Sequence, residues 1–257
     1  MSTKNGIGAT YEDAWIIDGV RTPFADYNGA LGLVSPIDLG IKAAREAFKK
    51  TGADPADVGT VITGSMAQAS FDAYMLPRHV GLYAGVPRET PAHMVQRVCG
   101  TGIEVLAQAS DATSLGRAEL ALCVGTESMT RNPVAAYTMR GGFRMGQTEF
   151  KDFLWEALRD TGCDLTMGDT AENLAKQHQI SREQVDEFAS RSFARAVKAQ
   201  EDGFLAGEIA PVATEKFEID GLEPRGIKIK DELRADTHIR PSTPEQLAKI
   251  RPAFGGV

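Results

Sequence analysis

The residue best suited to chemistry is Cys99, in the run Gln96-Arg97-Val98-Cys99-Gly100-Thr101-Gly102. An apolar, strand-like stretch, Ala92–Val98, leads into it. A segment rich in Ala, Ile and Leu, Ile103–Leu115, follows and reads as a buried helix. This order places a thiol on a sharp strand-to-helix turn, at a helix N-terminus. Unpaired backbone N–H groups and the positive end of the helix dipole favour an anion there. The thiolate is the form of cysteine that attacks a carbonyl carbon. Gly100 and Gly102 let the backbone bend and come close to a ligand without a Cβ in the way. The pattern points to covalent catalysis. The competing reading of any single cysteine is a small core hydrophobe.

The other titratable residues form no such constellation. His93 precedes Cys99 in the same extended run, about 20 Å away at strand rise, which excludes it as the base. The four histidines, His79, His93, His178 and His238, show no metal-ligand spacing, and no metal site is expected. Cys123 lies inside an apolar strand and reads as core; Cys163 lies in a loop. Three cysteines without a C-x-x-C pair argue against a disulfide framework and for a reducing, cytoplasmic setting.

Elements that could position Cys99 are legible around it. Strands are expected at Ala14–Val20, Val58–Gly64, Ala92–Val98 and Leu120–Gly125, and helices between them. Ser35-Pro36-Ile37-Asp38 is a helix start; Ile37, Ile41, Ala44 and Phe48 share one face, and Gly52 is a stop. Asp72–Ala84 reads as the next helix. Such alternation implies a mainly parallel sheet with crossover helices. After Glu127 the texture changes. Residues 131–148 are irregular, and two helices follow, one opened by Asp169-Thr170-Ala171-Glu172 and one by the capping box Ser181–Gln184, stopping at Gly203. Ile209–Ile219 reads as strand, 220–245 as polar loop, and Gln246–Ile250 as a short helical turn.

Size and charge narrow the function classes. The 257 residues, 42% hydrophobic and 25% charged, suit a globular protein with a sizeable core. A net charge of −7 argues against nucleic acid as a partner. The polar stretch Met1–Asp13 has no apolar segment of a secretory signal, and no run is long enough for a bilayer, so no membrane association is expected.

Five stretches, in order, resemble the thiolases, which make or cleave 3-ketoacyl-CoA thioesters: Val20–Phe24, Gln96–Gly102, Gly125–Met129, Met167–Asn173 and Arg251–Phe254. The resemblance implies an α/β layered fold. Residues 1–125 would form an N-terminal βαβαβαβ half with a mainly parallel sheet, and 126–257 an inserted loop domain covering the coenzyme and returning towards the core. It implies an acyltransferase in which Cys99 takes the acyl group and the Cys99 N–H contributes to an oxyanion hole. Coenzyme A thioester is then substrate, and no permanently bound cofactor is expected. Met167 and Leu158 match positions that shape the acyl pocket; Arg240, Gln246, Ala253 and Phe254 match positions near the coenzyme. Thr166 replaces a histidine common in acetoacetyl-CoA-type members. The basic cluster Arg225, Lys228, Lys230 and Arg234 reads as a solvated face rather than a phosphate site.

The family's activating histidine, its histidine–asparagine pair and its second cysteine have no counterpart here: there is no Asn-Glu-Ala-Phe, no Gly-His-Pro and no late Cys-x-Gly. The C-terminal half is absent from these residues. The apolar 103–115 helix also expects a partner surface. A complementary chain supplying the C-terminal half is therefore expected, with further dimerisation or tetramerisation. A carrier of CoA or lipid without catalysis, or a structural subunit, is the alternative function.

Overall fold

Strand β1, Thr60–Gly64, is buried at every residue and sits at the centre of a three-stranded sheet, with β2, Ala92–Val95, on one side and β3, Ala121–Gly125, on the other. Both pairings are parallel, Val61 opposite Ala92 and Leu122. The computed structural model describes residues 10–256 apart from 69 and 138; the start of the polar stretch, Met1–Ala9, and Val257 lie outside them. Parallel strands need crossover helices, and steps in opposite directions across a sheet put those helices on opposite faces when the hand is constant. Helix α2, Leu76–Tyr83, joins β1 to β2, and α3, Thr101–Ser114, joins β2 to β3.

The two faces carry separate cores. Val61, Leu122 and Val124 pack with Leu76 and Val80 of α2 and with Ile37, Ile41 and Ala44 of α1, Pro36–Thr51. Ile62 and Val95 pack on the other side with Val105 and Ala109 of α3. The alternation along β1 is the strand period of two. Helix α1 has the expected ends: Ser35 accepts from the Ile37 N–H, Pro36 opens the helix, and Gly52 closes it at φ 72. Among the described residues the outer face of α3 is left open, with Ile103 74% exposed and Leu115, just past its C-terminus, 64%.

Several expected boundaries shift. Ala14–Val20 is not a strand, and Trp15, Ile16 and Ile17 are exposed. An extended apolar segment needs a ladder partner, and among the described residues neither edge of the sheet pairs with it. The strand before Cys99 ends at Val95, the partner of the last β1 residue, Gly64, and the turn closes from the Arg97 and Val98 carbonyls. The Asp72–Ala84 segment opens with a 3₁₀ turn, Ala73–Met75, before α2. Asp72 gives that turn no side-chain cap because its carboxylate is engaged elsewhere.

The later half returns to the first. After β4 (Val134–Ala135) and β5 (Lys151–Asp152) come α4 (Phe153–Ala157), β6 (Arg159–Asp160), β7 (Leu165–Thr166), α5 (Met167–His178) and α6 (Arg182–Glu201). The expected strand over Ile209–Ile219 contracts to β8, Glu215–Phe217. It pairs with β9, Arg225–Ile227, inside the stretch read as loop, and the chain reverses past Gly221 at φ 74. Two side chains explain the hairpin: Phe217 and Ile227 are buried in the α1–α2 core, with Val212. Helix α7 is Pro244–Leu247, slightly earlier than expected, because Thr243 caps it.

Arg225 corrects the solvated-face reading of the basic run. Its Nε lies 2.8 Å from Asp38 Oδ1 of α1, and its Nη2 lies 2.9 Å from Asp72 Oδ2. Ser35 and Ser70 hydroxyls each donate to Asp72 at 2.6 Å, and Arg131 stands at 3.6 Å. Burial opposes the Asp72 anion, but the hydrogen bonds from Ser35, Ser70 and Arg225 bring its pKa down from 3.8 to about 2. Burial pushes Asp38 up, against the pull of Arg225. Arg234, by contrast, is exposed and among the described residues pairs only with Glu232.

Arg225→Ala should destabilise the fold by about 3 kcal/mol in urea titrations, because it strands two carboxylates. Arg234→Ala should cost less than about 0.5 kcal/mol. The lowered pKa of Asp72 contributes stability above pH 3.8 that is lost as pH falls towards 2. Asp72→Asn should flatten that acid limb of the stability curve.

Candidate functional site

The Cys99 turn is built from bonds local to it. Gly100 N–H donates to Arg97 O at 2.9 Å and Thr101 N–H to Val98 O at 3.2 Å. The Thr101 hydroxyl accepts from the Arg97 N–H at 2.8 Å and donates to Val98 O at 2.5 Å. The left-handed residue is Val98, at φ 45, not a glycine. Gly100, the N-cap of α3, has an ordinary φ of −83. Its companion Gly102 faces open space, so that glycine supplies bareness rather than a bend. Cys99 is exposed just ahead of the helix. Among the described residues neither its Sγ nor its N–H is hydrogen-bonded. Arg97 forms an ion pair with Glu104 one turn into α3.

A second group forms around the start of α5. The β6–β7 hairpin pairs Arg159 with Thr166, which leaves Leu158 and Met167 flanking its open end. Thr166 and Asp169 make a capping box, so Thr166 has a structural task in starting α5. Met167 is 55% exposed. A Cβ on Gly168 would meet the Phe254 ring at 2.5 Å, so that ring lies directly on the glycine. Trp155 stacks on the other aromatic, centroids 6.4 Å apart and planes within 6°. The Gly256 N–H donates to the buried Glu172 carboxylate at 3.0 Å and straps this segment onto α5. Leu158, Met167 and Phe254 are thus brought together.

Arg240, Gln246 and Ala253 gather on α6. The Arg240 guanidinium lies 5.8 Å from the Phe193 ring centre. Gln246 spends its side-chain oxygen on the Thr243 N–H at 2.9 Å, capping α7. Arg182 pairs with the buried Asp186 and donates to the carbonyls of Leu247 and Ile250, at 2.7 and 2.8 Å. With Val185 and Ala253 these residues line a shallow cavity. No hydrogen bond or ion pair ties the Cys99 turn to either group, among the described residues. Cys123 is core, its pKa raised to about 11 by burial; Cys163 is exposed. His93 is engaged with Gln108 of α3 at 3.0 Å.

Two participants escape sequence reading. Trp155 meets Phe254 across a long separation, with no local period to announce it. Gly64 reads as a strand end, yet a Cβ there would sit 2.4 Å from Thr101 Cγ2. Gly168→Ala should displace the Phe254 ring and cost roughly 1–3 kcal/mol. In a Trp15→Phe background, which leaves Trp155 as sole indole, the same change should shift tryptophan emission.

The profile of the thiolase N-terminal domain matches residues 14–256. The chain is 38% identical over 248 residues to the mitochondrial 3-ketoacyl-CoA thiolase of Bos taurus, covering 96% of this chain and 60% of that protein. Human mitochondrial 3-ketoacyl-CoA thiolase, crystallised in complex with CoA, superposes with a TM-score of 0.84 at 37% identity, covering 93% of this chain and 58% of that one. The acetyl-CoA acetyltransferase of Bacillus anthracis superposes with a TM-score of 0.82 at 33% identity, covering 94% and 59%. The chain therefore spans about three-fifths of the length of the relatives it matches.

Proposed function

This chain belongs to the thiolase family, and from that premise we propose that it is the nucleophile-bearing part of an acyltransferase that forms or cleaves 3-ketoacyl-CoA. The observation that carries the reading is the setting of Cys99: exposed, ahead of α3, with its Sγ and N–H both uncommitted among the described residues. The Cys99 thiolate attacks the thioester carbonyl of an acyl-CoA. The carbon–sulfur bond to CoA breaks, and the CoA sulfur leaves with a proton. A second acyl-CoA, deprotonated at its α-carbon, then attacks the acyl-cysteine, forming a carbon–carbon bond and releasing Cys99. Splitting the transfer in two lowers each barrier. The Cys99 N–H, without a bond among the described residues, is suited to the developing oxyanion, a role in which one donor is worth about 3 kcal/mol.

The remaining candidates divide by environment. Met167 and Leu158, at the mouth of one hairpin, suit the acyl chain. Phe254, flat on Gly168, and Ala253 suit the pantetheine arm. Arg240, exposed beside Phe193, suits the nucleotide end of the coenzyme, with Gln246 nearby on α7. The proton acceptor for Cys99, and the acid/base that protonates the departing CoA sulfur and then takes the α-proton of the second acyl-CoA, come from a complementary C-terminal half. The open apolar face of α3, with Ile103 and, just past its C-terminus, Leu115, supports that partnership.

Acetyl-CoA incubated with the protein and its complementary half should leave an acetyl group on the Cys99 peptide by mass spectrometry. Cys99→Ala should lose the adduct and reduce turnover by roughly 10⁴-fold or more. Absence of the adduct, with acyl-CoA binding unchanged in Cys99→Ala, would make the protein a carrier instead.

A further inference from the structure

A β-branched residue in the left-handed region is a costly conformation. Val98 holds it, at φ 45, immediately before Cys99. Such a conformation persists only where its surroundings over-determine it. Beside the Gly100 N–H bond to Arg97 O and a 3.4 Å bond from the Val98 N–H to Gln96 Oε1, one buried side chain engages both ends of the bend. Thr101 is 5% exposed and uses every part of itself on the turn. Its hydroxyl bridges the peptide units on either side of the bend, accepting from Arg97 N–H and donating to Val98 O. Its own N–H donates to the same Val98 oxygen. Its methyl fills the space that a Cβ on Gly64 would take.

We infer that Thr101 is a positioning residue for Cys99: it clamps Val98 in the left-handed conformation and thereby fixes the thiol at the entrance of α3. Strand β1 provides the seat, because Gly64 lets the Thr101 methyl rest against the sheet. Thr101 itself touches no substrate; it acts through the bend. The inference rests on Cys99 being the working nucleophile, but its geometry is a property of the turn alone.

The test compares iodoacetamide alkylation of Cys99 with that of Cys163 in the same molecule, followed by peptide mass spectrometry. Cys163 is exposed and lies outside the turn, so it serves as internal reference. Thr101→Val keeps the shape and removes the hydroxyl; Thr101→Ser keeps the hydroxyl. The Cys99-to-Cys163 rate ratio should fall about tenfold in Thr101→Val, the change equivalent to one net hydrogen bond. It should stay within about twofold of wild type in Thr101→Ser. Adding Val98→Gly to Thr101→Val should restore the ratio, since glycine accepts a positive φ without the clamp. Melting temperatures of all variants separate this from global unfolding. The inference is overturned if Thr101→Val fails to lower the ratio, if Thr101→Ser lowers it as much, or if Val98→Gly brings no recovery. Acetyl labelling of wild-type Cys99 is read separately: its failure removes the acyl-transfer reading and leaves the alkylation ratio to judge the clamp.

Discussion

The bare Cα of Gly64 sets how closely helix α3 can approach the sheet. Thr101 and Val105 both rest against that position, with Val105 Cγ2 at 3.0 Å from where a Cβ would stand. From this contact the rest of the turn follows. The helix is seated by Val105 and Ala109 on Ile62 and Val95, its first residue is fixed, and the connection from β2 has only a few residues in which to reverse. The strain of that reversal falls on Val98, and Cys99 is left outside the core. The Cys99 thiol ends up exposed because everything around it is held from below.

A second constraint binds the later part of the chain to the first. Arg225 reaches into α1 and meets Asp38, and the same guanidinium completes the shell of Asp72. Arg21 does a parallel task at the other end: it lies 2.7 Å from Glu208 and grips both oxygens of Asp236, at 2.7 and 2.9 Å. Phe217 and Ile227 add apolar burial between these polar clamps. Helices α5 and α6 therefore depart from and rejoin a framework fixed at both ends, and α7 follows the last clamp residue, Asp236. Within those segments, caps rather than core decide the positions: Thr166, Ser181 and Thr243 each start a helix by a reciprocal pair of bonds.

Features encoded by neighbouring residues were legible in the sequence. Ser35 and Gly52 mark α1 because capping involves residues two to four apart, and the capping box of α6 was readable for the same reason. The central strand and the Cys99 turn were legible through apolar runs broken by glycine. Contacts between distant residues were not. Arg225 looked like one of several solvated cations because its two carboxylates lie more than 150 positions earlier in the chain. Ala14–Val20 carries a strand pattern, but pattern without a neighbouring ladder does not make a strand. The bend itself was attributed to Gly100 and Gly102; it belongs to Val98, whose β-branched side chain gives no local hint of a positive φ. The grouping of Leu158, Met167 and Phe254 followed from the family resemblance, while the Trp155 stack that steadies it was visible only in three dimensions.

The long reach of the two arginine clamps bears on how the polypeptide is made. A nascent chain leaving the ribosome exposes the helices and strands up to Gly125 well before Arg225 or Asp236 has been synthesised. During that interval Asp38 and Asp72 lack the Arg225 guanidinium, with Arg131 alone near Asp72, and Arg21 has neither carboxylate. The early layer must wait with its acids still partly hydrated, and the arrival of the β8–β9 hairpin brings the Arg225 guanidinium that pairs with both. Slow elongation between residues 126 and 225 lengthens the interval in which these acids stand without that partner.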